Sequence, residues 1–233
     1  MVIAVAGWFM FQQGGSQPEM ITVTAEVMEE DVLHLPDGTL VFLNQGTQLS
    51  YNSEFAQSHR SIEFDGEAIF DVAKDASQAF IISTEGFGIE VLGTRFHLLA
   101  KKGESDVMLH LQTGKVKVFS LDEQGQALEQ LLLNPGEKLH YNKETAVMSR
   151  DEIENENYQA WKTGVLEFND APLPEVIKAL ENTYQLEFVT EHDCSNFLLT
   201  ARFDNETPES ILQTLEFVFN LNITEQNGQY IIR

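Results

Sequence analysis

The stretch that decides the fold is SIEFDGEAIFDVAKD, residues 61–75, followed by AFIISTEGFGIEVLGTRFHLL, residues 79–99. A period of two between apolar side chains is typical of β-strands. Asp65-Gly66 is a tight-turn signal between two such runs, so we expect a hairpin here. Gly93 marks a place where a strand bends or another backbone approaches closely. The alternating apolar residues are Ile62 and Phe64, then Ala68, Phe70 and Val72.

The same pattern extends in both directions from this stretch. From Val32 to about Val147, short strand-like runs alternate with turn signals, and no helical pattern interrupts them. This predicts an all-β domain, either a sandwich or a short β-solenoid, and the pattern leaves both open. Turn signals outside the opening stretch include Asp37-Gly38, Thr113-Gly114 and Pro135-Gly136.

The last third of the chain contains an internal repeat. Residues 166–188 align without a gap over residues 201–223, and each copy reads as strand, polar turn, helix, strand. The sequence therefore predicts a small α/β domain made of two β-α-β repeats that share one sheet, with the helices on one side. Matched apolar positions are Phe168 with Phe203, Ile177 with Leu212, Leu180 with Leu215, and Leu186 with Leu221.

Helix boundaries in the repeat follow from capping residues. Asp170 is a candidate cap for the first helix, and Thr207 with Pro208 is a candidate start for the second. Asn227-Gly228 predicts a final hairpin. The buried stripes are predicted to be Leu173, Val176, Ile177, Leu180 and Tyr184 in the first helix, and Ile211, Leu215, Val218 and Phe219 in the second.

Net charge narrows the classes of partner. The chain has 14 Lys+Arg against 37 Asp+Glu, which gives a formal net charge of −23. Such a surface repels phosphate backbones and anionic lipid head groups, so we expect no direct nucleic-acid binding. Solubility is the simplest reason for this charge.

Two sets of residues are candidates for chemistry. Paired carboxylates carry glycoside hydrolysis, and such a pair could come from the acidic residues of the opening stretch. In so acidic a chain, carboxylates on a solvated strand face are the expected background. Cys194 is the only cysteine and His192 lies close to it in sequence, yet catalysis needs spatial rather than sequence neighbours. The carboxylates in question are Glu63, Asp65, Glu67 and Asp71.

No cofactor or metal site is predicted. The histidines have no metal-ligand spacing, and His110 alternates opposite an apolar face, which favours a surface or half-buried structural role. With a single cysteine, an intrachain disulfide is excluded. The six histidines are His34, His59, His97, His110, His140 and His192.

The N-terminal run VIAVAGWFMF, residues 2–11, carries no charge and is followed by a polar segment. About ten helical residues span roughly 15 Å, which is half of a hydrocarbon core of about 30 Å. A basic segment before the run and a cleavage site after it are both missing, so it is a poor signal peptide. We interpret it as the trailing part of a transmembrane helix, with a buried strand or an apolar tail as the alternative.

The opening stretch resembles the periplasmic domain of FecR-type anti-sigma factors. The matching pieces are residues 35–51, 66–75, 91–98 and 133–141, in the order of that family, although His97 stands where the family more often has Asn. Residues 161–168 and the Pro-containing helix after them resemble the C-terminal module that often follows a FecR domain. That module is similar to the short N-terminal signalling domains of secretins and TonB-dependent transporters. The motif residues are Asp37, Gly38, Gly66, Glu67, Gly93, Thr94, Phe96, Pro135, Gly136, Trp161 and Gly164.

The resemblance implies a non-enzymatic role in signalling. A FecR-type protein relays a signal from an outer-membrane TonB-dependent transporter to a cytoplasmic sigma factor of the extracytoplasmic-function class. It is periplasmic and anchored to the inner membrane by one N-terminal helix. The transporter's periplasmic signalling domain is the expected partner of Trp161–Arg233, and the sigma factor is expected to bind a cytoplasmic domain absent from this sequence.

The predicted organisation has four parts. Residues 1–18 are the remnant of a membrane helix and a tether, 19–150 an all-β domain, 151–160 a linker, and 161–233 the duplicated module. Two rival functions stay open at this stage, a secreted β-module that binds a glycan or polymer and a carboxylate-dependent hydrolase. The first expects exposed aromatic residues on a β face, and the second expects activity that depends on Glu63, Asp65 or Glu67.

Overall fold

A computed structural model of the chain describes residues 19–26, 32–57, 59–122, 124 and 126–233. Its first part is all β. The strands are β1 Met20–Thr24, β2 Val32–His34, β3 Leu40–Leu43, β4 Gln48–Asn52, β5 Arg60–Asp71, β6 Phe80–Thr84, β7 Phe87–Val91, β8 Arg95–Ala100, β9 Asp106–Thr113, β10 Val116–Leu121, β11 Ala127–Leu133, β12 Glu137–Asn142 and β13 Val147–Glu152.

These strands form one 13-stranded sheet that divides at β5. The first half of β5 pairs with β4 and, in parallel, with β6. Its second half pairs antiparallel with β3 and β8. From β5, one half of the sheet continues through β6, β7, β10 and β11, and the other continues through β8, β9, β12 and β13.

The predicted hairpin at Asp65-Gly66 is wrong, because β5 runs straight through both residues. Gly66 has a φ of 132°, and a Cβ atom added to it would lie 2.7 Å from Cα of Thr47. Only glycine is comfortable in that backbone conformation and at that close approach. Gly66 therefore allows one strand to leave the first half-sheet and enter the second.

The two half-sheets enclose a single hydrophobic core. Phe87 on β7 stacks on Tyr141 on β12 with ring centroids 5.2 Å apart, which joins strands that are distant along the sheet. Val107, Leu109 and Leu111 are all fully buried, as their alternation predicted. Of the two predicted β architectures, the packing corresponds to a sandwich whose layers are joined through β5.

A buried ion pair closes one end of this core. Arg60, 2% exposed, donates from Nη1 to Oδ2 of Asp37 at 3.2 Å. The same guanidinium donates to the carbonyl oxygens of Ala73, Asp75 and Gln78. A buried charge is tolerated when it is paired and its hydrogen bonds are satisfied, so this arginine ties the turn before β3 to the loop between β5 and β6.

The second part of the chain mixes helices and strands. It begins with a 3-10 turn, Asn157–Gln159, which we call the bridging turn. The elements after it, which we call the C-terminal module, are α1 Ala160–Thr163, β14 Val165–Pro172, α2 Leu173–Tyr184, β15 Glu187–Thr190, β16 Leu198–Asp204, α3 Pro208–Phe219, β17 Ile223–Gln226 and β18 Gln229–Ile232.

The order strand, helix, strand occurs twice in this module, but the prediction of one shared sheet is wrong. Strands β14 and β16 form a two-stranded antiparallel sheet, whereas β15, β18 and β17 form a separate three-stranded sheet. The two strands of each repeat therefore belong to different sheets. The repeats still bury a common core, since apolar residues from both helices and both sheets belong to one cluster.

The helix predictions mostly held. Thr207 accepts the N–H of Ser210 and caps α3, with Pro208 in the first turn. The proposed cap of α2 is wrong, because Pro172 occupies that position and Asp170 lies in the preceding strand with a φ of 48°. Val218 was expected in the buried stripe but is mostly exposed.

No helix among the described residues is long and apolar enough to span a membrane. The apolar run at residues 2–11, on which the membrane-anchor prediction rests, lies outside the described residues.

Candidate functional site at the domain junction

The surface that joins the two parts of the chain is one face of β5, β8 and β9. Because side chains alternate along a strand, the face turned away from the sandwich core carries a separate set of residues. We call it the outer face. Ile69 lies on it and is nevertheless fully buried, which means that another part of the chain covers it. The outer-face residues are Glu67, Ile69 and Asp71 on β5, Arg95, His97 and Leu99 on β8, and Met108, His110 and Gln112 on β9.

A chain of buried ionisable groups lies at the centre of the outer face. His97 Nε2 is 2.8 Å from Oε1 of Glu67, whose Oε2 accepts from the side-chain amide of Asn44 at 2.7 Å. His97 Nδ1 is 3.2 Å from Nδ1 of His110. In this contact His97 Nε2 is the donor and the carboxylate oxygen of Glu67 is the acceptor. A hydrogen bond between two Nδ1 atoms requires one of them to be unprotonated, so this geometry excludes a proton on both.

Tyr158 of the bridging turn covers these histidines. Its ring stacks on His110 with centroids 4.1 Å apart and planes inclined by 3°, and it lies 5.2 Å from the ring of His97. Its hydroxyl accepts from Nε2 of Gln112 at 3.0 Å. Burial raises the pKa of the Tyr158 hydroxyl, and the hydrogen bond from Gln112 opposes that rise. The phenol therefore stays neutral while it packs against the sandwich.

Gln112 extends the contact to a second residue of the bridging turn. Its Nε2 also donates to Oε1 of Gln159 at 3.1 Å. Its Oε1 accepts from Nε of Arg95 at 2.7 Å, and Arg95 pairs with Asp71 at 3.0 Å. This network orients the amide of Gln112, so that both of its ends have fixed partners.

Asn157, the first residue of the bridging turn, faces the other way. Its side-chain amide donates to the carbonyl of Glu167 on β14 and accepts the N–H of Glu167, both at 2.8 Å. An amide side chain can occupy the place of a neighbouring strand because it carries one donor and one acceptor in a plane. Three consecutive residues thus bind both parts of the chain. Asn157 binds the C-terminal module, whereas Tyr158 and Gln159 bind the sandwich.

A cavity of about 190 Å³ remains between the outer face and α2. The indole N–H of Trp161 and the hydroxyl of Thr183 line it, and neither buried atom has a hydrogen-bond partner among the described residues. The ammonium of Lys162 lies 3.2 Å from the ring centroid of Phe42 on β3, which is a further contact, of the cation–π kind, between the module and the sandwich. The C-terminal module therefore rests on the sandwich through mixed polar and aromatic contacts rather than a closed apolar interface.

The environment of His110 makes this docking sensitive to acid. Burial lowers the pKa of His110 to about 2, and the charges of His97 and Lys138 add to the effect. Ionisable groups face His110 from every element around it: Glu67 on β5, His97 on β8, Lys138 on β12, Tyr158 on the bridging turn, and Glu175 and Lys178 on α2.

We expect acid to weaken the docked state. Docking lowers the pKa of His110, so the docked state favours the neutral imidazole. The stabilisation from this histidine is fully present above its free pKa of about 6.5, and it declines as the pH falls below that value. At pH 5 the docked state has lost up to about 2 kcal/mol of free energy, because each pH unit below the free pKa costs about 1.36 kcal/mol. Urea denaturation at pH 7.5 and pH 5.0 measures it. His110→Gln should reduce this difference, and an equal difference in both proteins would contradict the prediction.

Comparison with known proteins gives this geometry its context. The family model described as FecR protein matches residues 21–117, and the one described as FecR, C-terminal, matches residues 165–232. The two regions are those that the bridging turn joins. The chain is a FecR-type anti-sigma factor.

Solved structures agree with this assignment. Two crystal structures of a candidate anti-sigma factor from Parabacteroides distasonis ATCC 8503, at 2.50 and 1.65 Å resolution, are each 27% identical in sequence to this chain with a TM-score of 0.72. They cover 92% and 91% of this chain, and the match takes in 98% of each of them. The search of curated proteins gave no match.

The sandwich of this anti-sigma factor contains most of the predicted motif residues. Asp37 and Gly38 form the turn before β3, where Asp37 meets Arg60, and Pro135 with Gly136 forms the turn before β12. Phe96 is buried in the core against Phe70. Thr94 is buried and donates to the carbonyl of Lys115 at 3.0 Å. Gly93 lies where a Cβ atom would be 2.7 Å from Cα of Lys74, which is the close approach predicted.

Two motif residues lie at the start of the C-terminal module. Trp161, on α1, lines the junction cavity. Gly164 ends α1 in the left-handed conformation, and an added Cβ atom would clash with the side chain of Asn205. Only Glu67 and Trp161 of the predicted motif set belong to the junction.

The candidates for chemistry are dispersed. Glu63 and Asp65 face solvent from the first half of β5, Glu67 pairs with His97, and Asp71 pairs with Arg95. The Cys194 thiol donates to the main-chain carbonyl of His192, and burial together with the Asp193 charge raises its pKa. Among the described residues, no cluster of His, Cys, Asp or Glu could hold a metal ion.

The sequence did not reveal the junction. His110 was expected to be at most half-buried, and it is buried because Tyr158 covers it. Tyr158 and Gln159 fall in a run interpreted as a linker. One signal was present: His97 and His110 both lie opposite the apolar residues of neighbouring strands, which is where a covering partner would be found.

Proposed function

We propose that the chain is the extracytoplasmic part of a transmembrane signal relay. The C-terminal module binds the periplasmic signalling domain of a TonB-dependent outer-membrane transporter, and the sandwich passes the signal to the inner membrane. A cytoplasmic domain of the full-length protein binds a sigma factor of the extracytoplasmic-function class. The protein is periplasmic and held by a single N-terminal helix. The match of both FecR models to the two joined parts supports this proposal.

The bridging turn provides the mechanism. Asn157 holds the first strand of the module, while Tyr158 and Gln159 hold the outer face of the sandwich. A partner that binds the docked and undocked forms with different affinity shifts the equilibrium between them. Because the junction contains polar groups and a cavity, we expect the free-energy difference between the docked and undocked forms to be small enough for partner binding to reverse it. Docking is therefore the two-state element that couples transporter to membrane.

A capture experiment tests the proposal. The tagged 233-residue chain is incubated with solubilised outer membranes of the source cell, and retained proteins are identified by mass spectrometry. We expect a TonB-dependent transporter among them, and an excess of untagged chain should displace it. Retention of no transporter by folded chain would contradict the proposed relay, and retention of polysaccharide instead would favour a glycan-binding module.

A further inference from the structure

The C-terminal module has four strand edges, and on three of them a side chain binds an outward main-chain group. The outer edge of β14 binds the amide of Asn157. The N–H of Phe188, at the start of β15, donates to Glu181 of α2 at 3.4 Å. The N–H of Ile223, at the start of β17, donates to Glu216 of α3 at 2.8 Å. Glu181 and Glu216 occupy corresponding positions in the two repeats, so each repeat uses a helix glutamate to bind the first outward N–H of the strand that follows.

The fourth edge, on β16, is open. Glu167 directs its N–H and carbonyl to Asn157, away from β16, and it faces Arg202 across the β14–β16 pair. In an antiparallel pair such residues both point their main-chain groups outwards. Arg202 and, by alternation, Thr200 and Asp204 therefore present free N–H and carbonyl groups on the far side. Within the described ranges β16 pairs with β14 alone, and no hydrogen bond reaches that side.

Solvent reaches this edge along its length. Leu198 is 54% exposed, and Thr200, Arg202 and Asp204 are exposed as well. An open edge of seven residues is long for a natural protein, which usually blocks such edges with charge, proline or a covering element. This edge is long, and on each of the other three edges a side chain blocks at least one outward main-chain group, so the edge of β16 is the site indicated for an added strand.

Charge identifies the kind of partner. A groove of about 800 Å³ lies along β14 and the residues before the bridging turn, and Arg202 on β16 is the cation among its lining residues. A second copy of this chain would bring a further charge of −23 to this edge, so self-pairing is disfavoured. A strand flanked by Lys or Arg is favoured. The carboxylates of the groove are Glu154, Glu156, Glu167, Asp170 and Glu175.

We propose that the outer edge of β16 is the docking site for the partner, which adds an extended strand, flanked by basic residues, to the β14–β16 sheet. This inference rests on the proposed function and specifies the surface that the transporter's signalling domain uses. Main-chain pairing supplies the affinity, and the strongly acidic surface of the chain, with its formal net charge of −23, favours a basic partner. Side chains of the added strand alternate between the side of Leu199 and Phe203, which are buried, and the side of Thr200 and Arg202.

Proline at position 202 tests the edge. Arg202→Pro removes the outward N–H and leaves the hydrogen bonds to β14 intact, because proline is tolerated on the free side of an edge strand. Arg202→Ala is the matched control, since it also removes the ion pair with Glu167 but keeps the N–H. In the capture experiment with the full chain, we expect Arg202→Pro to reduce retained transporter by at least about tenfold and Arg202→Ala by less than about threefold, a difference of about 0.7 kcal/mol or more.

The outcomes separate the two proposals. Equal retention by wild type and Arg202→Pro would overturn the β16 site and leave the relay standing, whereas no retention by wild type would overturn both. Self-association of the wild-type chain that Arg202→Pro abolishes, measured by light scattering, would make the occupant a second copy and overturn the partner assignment. If Arg202→Pro does not fold, Asp204→Pro against Asp204→Ala repeats the comparison at the last residue of the strand.

Discussion

Replacing Tyr158 with alanine is expected to cost about 2–4 kcal/mol of docking free energy. Truncation of a buried aromatic ring costs about 3–5 kcal/mol, and Tyr158 is partly buried. The variant loses the stack on His110 and the hydrogen bond from Gln112. Its urea denaturation should show a lower midpoint, or a separate transition for the C-terminal module.

Tyr158→Phe is the control for this change. It keeps the ring on His110 and loses only the hydroxyl that accepts from Gln112, so we expect a cost of about 0.5–1.5 kcal/mol. If alanine and phenylalanine at this position had the same effect, the stack would not hold the junction.

Arg60→Ala is expected to lower the free energy of unfolding of the sandwich by about 3–5 kcal/mol. Removing one partner of a buried pair leaves the other charge without compensation, and Asp37 is itself buried. Three loop carbonyls also lose their donor. Chemical denaturation followed by circular dichroism measures the loss.

Lys117→Ala provides the comparison for the buried pair. Lys117 pairs with Glu90 at 3.3 Å on the surface of the same sandwich, and both side chains are exposed to solvent. Exposed pairs contribute about 0–1 kcal/mol. A loss for Arg60→Ala no greater than that for Lys117→Ala would show that the arginine does not tie the loops.

The sequence predicts those features of the fold that depend on residues close together along the chain. Alternation in β9 depends on neighbours two residues apart, and the burial of its alternate residues was predicted correctly. The repeat in the C-terminal module gives the order strand, helix, strand twice, but it does not give the sheets to which the strands belong. Asp65-Gly66 is a local turn signal too, but tertiary pairing overrides it: β5 has strands on both sides, and Gly66 serves the close approach of Thr47 instead. A dipeptide does not distinguish these two uses of glycine.

Sheet membership and the junction depend on contacts distant in sequence. The periodicity of a strand gives its buried face but not its neighbours, so the separation of β14 from β15 was not predictable. Tyr158 meets His110 because the bridging turn folds back across the outer face. Nothing in the acidic run around Tyr158 indicates that fold, although paired histidines on a non-core face are a reason to look for a covering residue.

The central claim is that Tyr158 holds the C-terminal module against the sandwich, and that partner binding releases the module from this docked state. A pulsed EPR distance between spin labels at Lys115→Cys and Gln213→Cys, both exposed, tests it in a Cys194→Ser background. We predict one narrow distance distribution for the parent chain and a broad one after Tyr158→Ala. Narrow and identical distributions in both proteins would contradict the claim.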